Sequence, residues 1–397
     1  MEGLIELSDR LITRVQLGFK RYLFDSVHWQ NRLIGIKGAR GTGKTTLLLQ
    51  WLKELNVPMN QKLFLSLDEL YFTTHTLLDT AKAFYMQGGK VLVLDEVHKY
   101  PTWSREIKNL HDRYDDLQIV FTGSSIIDIA KQEGDLSRRA LLYELKGMSY
   151  REYLNFVHGY DFRPVEFSEL LSAATHLRGL FPADFRPLAH FREYLRFGYY
   201  PFSLTDKEGY YTRLNQLVRT IVEYDMAELK GFDIRHAKKM LQLLYVIAQQ
   251  VPFKPNVNSL ASKTDIHRNS INNYLYFLHE ARLLYLLYKR GTSVAVLQKP
   301  EKVFVENTNL LFALSNTTPE GGTVRETFFN NQLQVYHTLN YADTADFVVN
   351  DKYTFEIGGK NKGKHQISDI SDAWIVKDDL EYPVGKIYPL WIFGFLY

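Results

Sequence analysis

The chain has 397 residues, a formal net charge of +3, and a composition that is 45% hydrophobic, 23% charged and 14% aromatic, the balance of a globular protein of several domains rather than of a disordered or fibrous one. It has no cysteine, which excludes disulfides, thiolate zinc sites and thiol nucleophiles, while the small net charge neither demands nor forbids a nucleic-acid partner. Residues 1–14 lack the apolar core of a signal peptide, and the longest apolar stretch, 387–397, is interrupted by Pro389 and Gly394 and is too short to span a bilayer, so the expectation is a cytoplasmic protein with no membrane partner.

Short apolar runs at 33–37, 63–67, 91–94, 118–122 and 141–145 read as strands, and 45–55, 76–87 and 103–113 between them carry helical periodicity. Strand and helix alternating in this way predict an α/β domain over residues 1–148, a parallel sheet with helices on both faces. From about residue 150 the pattern turns helical, at 150–157, 190–197, 210–229 and 236–250, which marks 149–250 as a connector or lid. A helix–turn–helix pattern at 260–284 sits in a winged-helix candidate, 251–298, and mixed strands and helices fill 299–397.

Residues 38–45 satisfy GxxxxGK[ST] between an apolar strand and a helix. Glycines let the backbone wrap until several N–H groups face one phosphate, and the helix start adds its positive end. The expected nucleotide-binding set is Gly38, Arg40, Gly41, Thr42, Gly43, Lys44, Thr45 and Thr46. In it Lys44 bridges the outer phosphates and the Thr45 hydroxyl coordinates magnesium, so ATP, ADP and Mg2+ are the implied ligands.

The run 91–94 ends in Asp95 and Glu96, adjacent carboxylates at the strand end where open α/β sheets bind ligands. Asp95 is expected to hold magnesium with Thr45, and Glu96 to orient and deprotonate the attacking water. The strand at 118–122 ends in Gly123, Ser124 and Ser125. If it lies between the strands carrying Gly38 and Asp95, Ser124 reaches the attacking water or the γ-phosphate. Beyond it stand Arg138 and Arg139. Such a guanidinium serves either as a finger toward a neighbouring copy's γ-phosphate, which implies a homo-oligomer, or as half of a surface ion pair.

The series GARGTGKTT, VLVLDEVHKYPTWSREIKNL, IVFTGSS, DLSRRA and LKGMSYREYL resembles a family of bacterial and archaeal AAA-type P-loop ATPases with a C-terminal domain of unknown function. The resemblance covers the whole chain. Phe197, Gly198, Tyr199, Tyr200 and Pro201 are similar to that family's GGYP turn, with Tyr199 in place of one glycine. It implies an additional-strand core of order 5-1-4-3-2, sensor work for Ser124, a finger role for Arg139, and a relay or positioning role for His98 beside the acidic pair. It says little about biological purpose.

The helix–turn–helix has an expected core of Leu260, Ala261, Ile266, Ile271, Leu275 and Leu278, and its second helix is expected to expose Arg268, Asn269, Asn272 and Asn273, side chains suited to base edges and phosphates. Lys289, Arg290, Lys299 and Lys302 are candidates for a basic wing; the alternative is a winged helix used for packing or protein contacts. Farther on, Glu326 on a helix, Asp346 at a strand start and Glu356 in a strand resemble the PD-(D/E)XK nuclease arrangement, in which acids and a lysine hold magnesium for phosphodiester cleavage. The usual lysine position holds Gly358, and Lys360 lies four residues beyond Glu356, about 13 Å by strand rise, so a degenerate, non-cleaving domain is the competing expectation. Three functions remain open at this point: an ATP-driven switch acting on DNA or a client protein, an ATP-regulated DNA nuclease, and a nucleotide-binding regulator that is not an enzyme.

Overall fold

In the first strands, neighbouring residues face opposite sides, and both sides are apolar. Leu33, Leu63, Leu65, Leu92, Leu94, Ile119 and Phe121 belong to one buried cluster, while Ile34, Ile36, Phe64, Val91, Val93 and Val120 belong to another. A sheet with that pattern has to be covered twice. A computed structural model describes residues 1–124, 136, 138–171, 174–226, 232–290, 299–359 and 372–397, which divide into two units, Met1–Gly147 and Met148–Tyr397.

The first unit runs α1 (Glu2–Arg14), α2 (Leu23–Ser26), β1 (Leu33–Gly38), α3 (Lys44–Glu54), β2 (Lys62–Ser66), α4 (Leu77–Met86), β3 (Val91–Asp95), α5 (Trp103–Arg113), β4 (Gln118–Ser124) and β5 (Leu141–Glu144). Its sheet has the order β2-β3-β4-β1-β5, parallel throughout, which is 5-1-4-3-2 read from the other edge. Leu77, Ala81 and Phe84 of α4 and Trp103, Ile107 and Leu110 of α5 cover one face. Leu47, Leu48, Trp51 and Leu52 of α3, with Ile12 of α1, cover the other. Each such side chain contributes about 1.5–3 kcal/mol on leaving water. The consequence for function is positional: β1, β3 and β4 lie side by side, and their C-terminal ends share one edge.

The second unit opens with α6 (Tyr150–His158), started by a capping box in which Ser149 and Glu152 satisfy each other's backbone N–H. Then come α7 (Phe167–Leu170), α8 (Ala174–Gly179), α9 (Pro187–Phe197), α10 (Tyr210–Thr220), α11 (Ala237–Ala248), α12 (Val257–Thr264) and α13 (Arg268–Glu280). The helix expected over 210–229 keeps α geometry only to Thr220 and continues as a π-helical turn, Ile221–Asp225. An antiparallel pair, β6 (Leu284–Leu287) and β7 (Lys302–Val305), follows α13. After α14 (Thr308–Leu314) and α15 (Gly321–Leu333) come β8 (Leu339–Asn340), β9 (Phe347–Val349), β10 (Tyr353–Gly358), β11 (Ala373–Lys377) and β12 (Ile387–Pro389). They form a mixed sheet of order β12-β11-β10-β9-β8, with β10, β11 and β12 parallel. Residues 390–397 are buried, and the Tyr397 carbonyl accepts hydrogen bonds from Ser149 Oγ at 2.7 Å and Arg151 Nε at 2.8 Å. That apolar stretch, too short for a membrane, is core. Among the described residues no helix is long and apolar enough to cross a membrane.

Candidate functional site

The loop between β1 and α3 is shaped by its glycines. A Cβ on Gly38 would stand 2.3 Å from the Leu145 carbonyl oxygen, so only glycine lets β1 approach the end of β5. Gly41 and Gly43 have φ of 82° and 96°, in the left-handed region that glycine enters without a side-chain penalty. No side chain caps α3, whose N-cap is Gly43, so its first N–H groups are offered to a ligand, at the positive end of the helix. Lys44 is buried and its Nζ donates to the carbonyls of Gly38 (3.0 Å) and Ala39 (3.1 Å). Thr42 Oγ1 donates to the Ala39 carbonyl at 2.9 Å. Arg40 is partly buried and Thr46 exposed.

Below the loop sits Arg21, which sequence reasoning missed. It is buried, and its guanidinium donates to the Thr42 carbonyl and, at 2.7 Å, to the Lys146 carbonyl. One side chain thus ties the loop to the chain after β5. The neighbouring Tyr22 hydroxyl donates to the Glu144 carbonyl at 3.0 Å and accepts from the Lys146 N–H at 3.2 Å.

The two segments that matter most meet. Thr45 Oγ1 donates to Asp95 Oδ2 at 2.7 Å. A hydroxyl and a carboxylate at this spacing, beside a phosphate-shaped loop, form the hard oxygen set that Mg2+ prefers. Thr122 on β4 donates to the other Asp95 oxygen, and its own hydroxyl accepts the Glu96 N–H at 3.1 Å. Thr122 therefore sets both acids, a role that sequence reasoning assigned to no residue.

Glu96 has φ of 53°, a left-handed backbone that costs a non-glycine residue about 1 kcal/mol or more and is found at functional turns. Its Oε2 lies 3.3 Å from His98 Nε2. Neither His98 ring nitrogen makes a hydrogen bond. Burial first, then the charges of Lys99, Lys44 and Arg40, push the His98 pKa down to about 3, so the imidazole beside Glu96 is neutral at physiological pH.

Ser124 is the register partner of Gly38 across β1 and β4 and is buried, and β4 does lie between β1 and β3. Ser125 lies outside the described residues. Arg139 forms a two-pronged ion pair with Asp112 at the end of α5, Nε to Oδ1 at 2.8 Å and Nη2 to Oδ2 at 2.9 Å. Leu141, the first residue of β5, is level with Ile34, four residues and about 13 Å of strand before Gly38, and Arg139 precedes it in a turn, its N–H donating to the Leu136 carbonyl at 2.8 Å.

In the second unit Glu326 and Asp346 converge. Lys302 Nζ donates to Glu326 Oε2 at 2.7 Å and to Asp346 Oδ1 at 3.1 Å. The other Asp346 oxygen accepts the Ile357 N–H at 2.8 Å, and Glu356, on the same strand as Ile357, is buried. Burial, followed by the Asp346 charge, raises the Glu326 pKa against the pull of Lys302. Burial pulls the Lys302 pKa down, but Glu326 and Asp346 outweigh it and hold the lysine charged. Of the basic-wing candidates, Lys302 is taken up by this acid cluster, whereas Lys289, paired with Asp343, Arg290, paired with Asp351, and Lys299 are exposed. Lys302 starts a strand that carries it back to α15, a tertiary approach that sequence spacing hides. Lys360 and residues 291–298 lie outside the described residues. Arg268, Asn269, Asn272 and Asn273 are all exposed on α13, while Leu260, Ile266, Ile271, Leu275 and Leu278 are buried; Ala261 is only partly so.

Residues 30–154 match the family model of the AAA domain, and residues 188–321 match that of a domain of unknown function, DUF8612. An uncharacterized protein of Methanocaldococcus jannaschii is 29% identical over 288 residues, a match covering 69% of this chain. The chain spans about 60% of the length of that relative. Among solved structures, AMPPCP-bound DnaA from Aquifex aeolicus aligns at 14% identity over 65% of this chain and 84% of that one, with a TM-score of 0.27. The Hsp104–ADP complex of S. cerevisiae aligns at 14% identity over 71% of this chain and 38% of that one, with a TM-score of 0.30. Scores of that size do not establish a shared fold across the whole chain. The first unit, with its parallel sheet and phosphate loop, is a P-loop α/β domain, and its residues 30–154 resemble the AAA domain.

Proposed function

We propose that the chain binds Mg-ATP at the β1–α3 loop and hydrolyses it, using the cycle to switch the state of its second unit. The observation that carries this reading is the 2.7 Å contact of Thr45 with Asp95, directly below a loop that only glycines can form. Lys44 and the loop N–H groups hold the phosphates, and Thr45 and Asp95 hold magnesium. The bound ion supplies positive charge to the phosphate oxygens. Glu96 accepts the proton of the attacking water, with its carboxylate aimed by the left-handed backbone and lying beside the neutral His98 ring. Ser124, level with Gly38, contacts the water or the terminal phosphate. Arg139 acts only on a second copy, so the same reading makes the active form a homo-oligomer.

Glu96→Gln tests the reading. ATP binding is expected to persist while turnover falls by about 100-fold or more, the scale of losing a general base; unchanged turnover removes Glu96 from the mechanism. The partner under this reading is DNA or a client protein, with Arg268, Asn269, Asn272 and Asn273 as the contact face. DNA affinity that falls steeply with salt favours DNA, and a flat salt response favours a protein. Very slow turnover with salt-dependent DNA binding would turn the reading toward a nucleotide-gated regulator.

The convergence of Glu326, Asp346 and Lys302 favours a second reading, an ATP-regulated nuclease in which Lys302 takes the place of the lysine absent at position 358. Metal-dependent nicking that Asp346→Ala abolishes supports it. Intact DNA in the presence of either magnesium or manganese leaves the cluster as a structural ion network.

A further inference from the structure

Outside both clusters, α6 and α9 bring together two imidazoles and a carboxylate to which none of the functions above gives a role. His158 is the last residue of α6. His190 and Glu193 are three apart on α9, so they share a helix face. One ligand atom from each lies within 4.8 Å of the other two, and among the described residues this is the only group of three His, Asp or Glu side chains that closes so far. The His158 and His190 rings stack at 3.7 Å between centroids, tilted by 28°. His158 Nε2 is fully buried and has no hydrogen-bond partner, although a buried polar nitrogen without one costs about 1–3 kcal/mol.

We propose that His158, His190 and Glu193 are a binding site for a borderline divalent cation of the Zn2+ class, which clamps the end of α6 to α9. The ligand set is two nitrogens and one oxygen, without sulfur, the set that zinc accepts and that magnesium and calcium do not favour. Metal–ligand distances of about 2.0–2.2 Å place tetrahedral ligands about 3.3 Å apart. Closing the present spacing to that requires the two rings to turn about their terminal torsions, which are broad. Lys207 also pairs with Glu193, and the edge of the Tyr153 ring faces His158 at 5.5 Å. The Tyr153 hydroxyl also hydrogen-bonds Glu193; a carboxylate offers about four lone-pair sites on its two oxygens, so Lys207 and Tyr153 can keep theirs while the ion takes another. The fourth position goes to water.

The test uses the full chain, stripped with a chelator and titrated calorimetrically with ZnCl2 in excess Mg2+, which fills the hard oxygen sites. One equivalent of zinc is expected, and the double variant His158→Asn/His190→Asn is expected to lose that equivalent or bind it at least 100-fold more weakly. No zinc binding by the native chain, or equal binding by the double variant, overturns the proposal. X-ray absorption of the zinc-loaded native chain keeps it testable even if the variant does not fold. Outer-shell scattering from two imidazoles is required, and none or one overturns it.

Discussion

Arg21→Met removes a cation from beneath the phosphate loop while keeping a side chain of similar length. Arg21 is 5% exposed, and its guanidinium serves the carbonyls of Thr42 and Lys146. Hydrogen bonds from a charged donor contribute about 1.5–3 kcal/mol each, and methionine leaves both acceptors buried without that donor, so the expected cost is about 3–5 kcal/mol. For a unit of this size that lowers Tm by roughly 10 °C. The loop also loses its tie to the chain after β5, and ordering it again on binding is expected to weaken ATP by about tenfold. Arg21→Lys, which reaches one carbonyl, falls between. Thermal unfolding and ATP titration are read on the same samples, with Arg32→Met, at a partly buried arginine of the same unit, as the comparison. If Arg21→Met melts within a degree or two of the native chain and binds ATP equally well, the guanidinium is not what holds the loop.

His98 is expected to make the first unit acid-sensitive. Its pKa is about 3 in the fold against an ordinary 6.5, so the unfolded chain takes the proton first. The neutral ring's contribution is complete above about pH 6.5 and is lost on acidification toward pH 3, about 2 kcal/mol of it by pH 5. Urea midpoints at pH 7.5 and 5 are expected to converge in His98→Gln; an unchanged difference assigns the sensitivity elsewhere. Lys302→Met leaves Glu326 and Asp346 facing each other without their cation and is expected to destabilise by about 3–5 kcal/mol, partly recovered by millimolar Mn2+, read by thermal unfolding with and without the metal. Recovery without metal on lowering the pH would instead show that protonation alone relieves the acids. Arg139→Ala and Glu96→Gln are each expected to be nearly inactive as ATPases and to regain activity when mixed, since one copy keeps the base and the other the arginine. A mixture as inactive as its parts confines Arg139 to its ion pair with Asp112.

What could be read before folding was what repeats locally. Continuous apolar runs located the first five strands, because a strand buried on both faces, as β1 to β4 are, declares itself at every residue, and the phosphate loop did so because three glycines and a lysine at fixed spacing admit few conformations. The family resemblance supplied the strand order. Arg21, Thr122 and Lys302 stayed hidden for a common reason: each acts on atoms brought near only by tertiary packing. Thr122 stood inside a segment already singled out, and its role became visible once β4 was seen to pair with β3, level with Asp95. Lys302 reads as a wing candidate beside Lys289, Arg290 and Lys299, whereas β7 brings it to Glu326 of α15. Position 210–229 looked like one helix, and the shift to π geometry at Ile221 carries no signature in a pattern of helix formers.

The opposite placement of Arg139 and the Gly38 loop has a geometrical corollary. If Arg139 is the finger proposed above, a patch that lends a cation and a patch that receives one are unlike surfaces, so two copies related by a twofold axis can join them only if both contacts form at once. Head-to-tail stacking needs no such coincidence. Under the proposed finger role each copy would lend on one side and borrow on the other, and the angle of a single junction would decide whether the series closes on itself or winds into a filament.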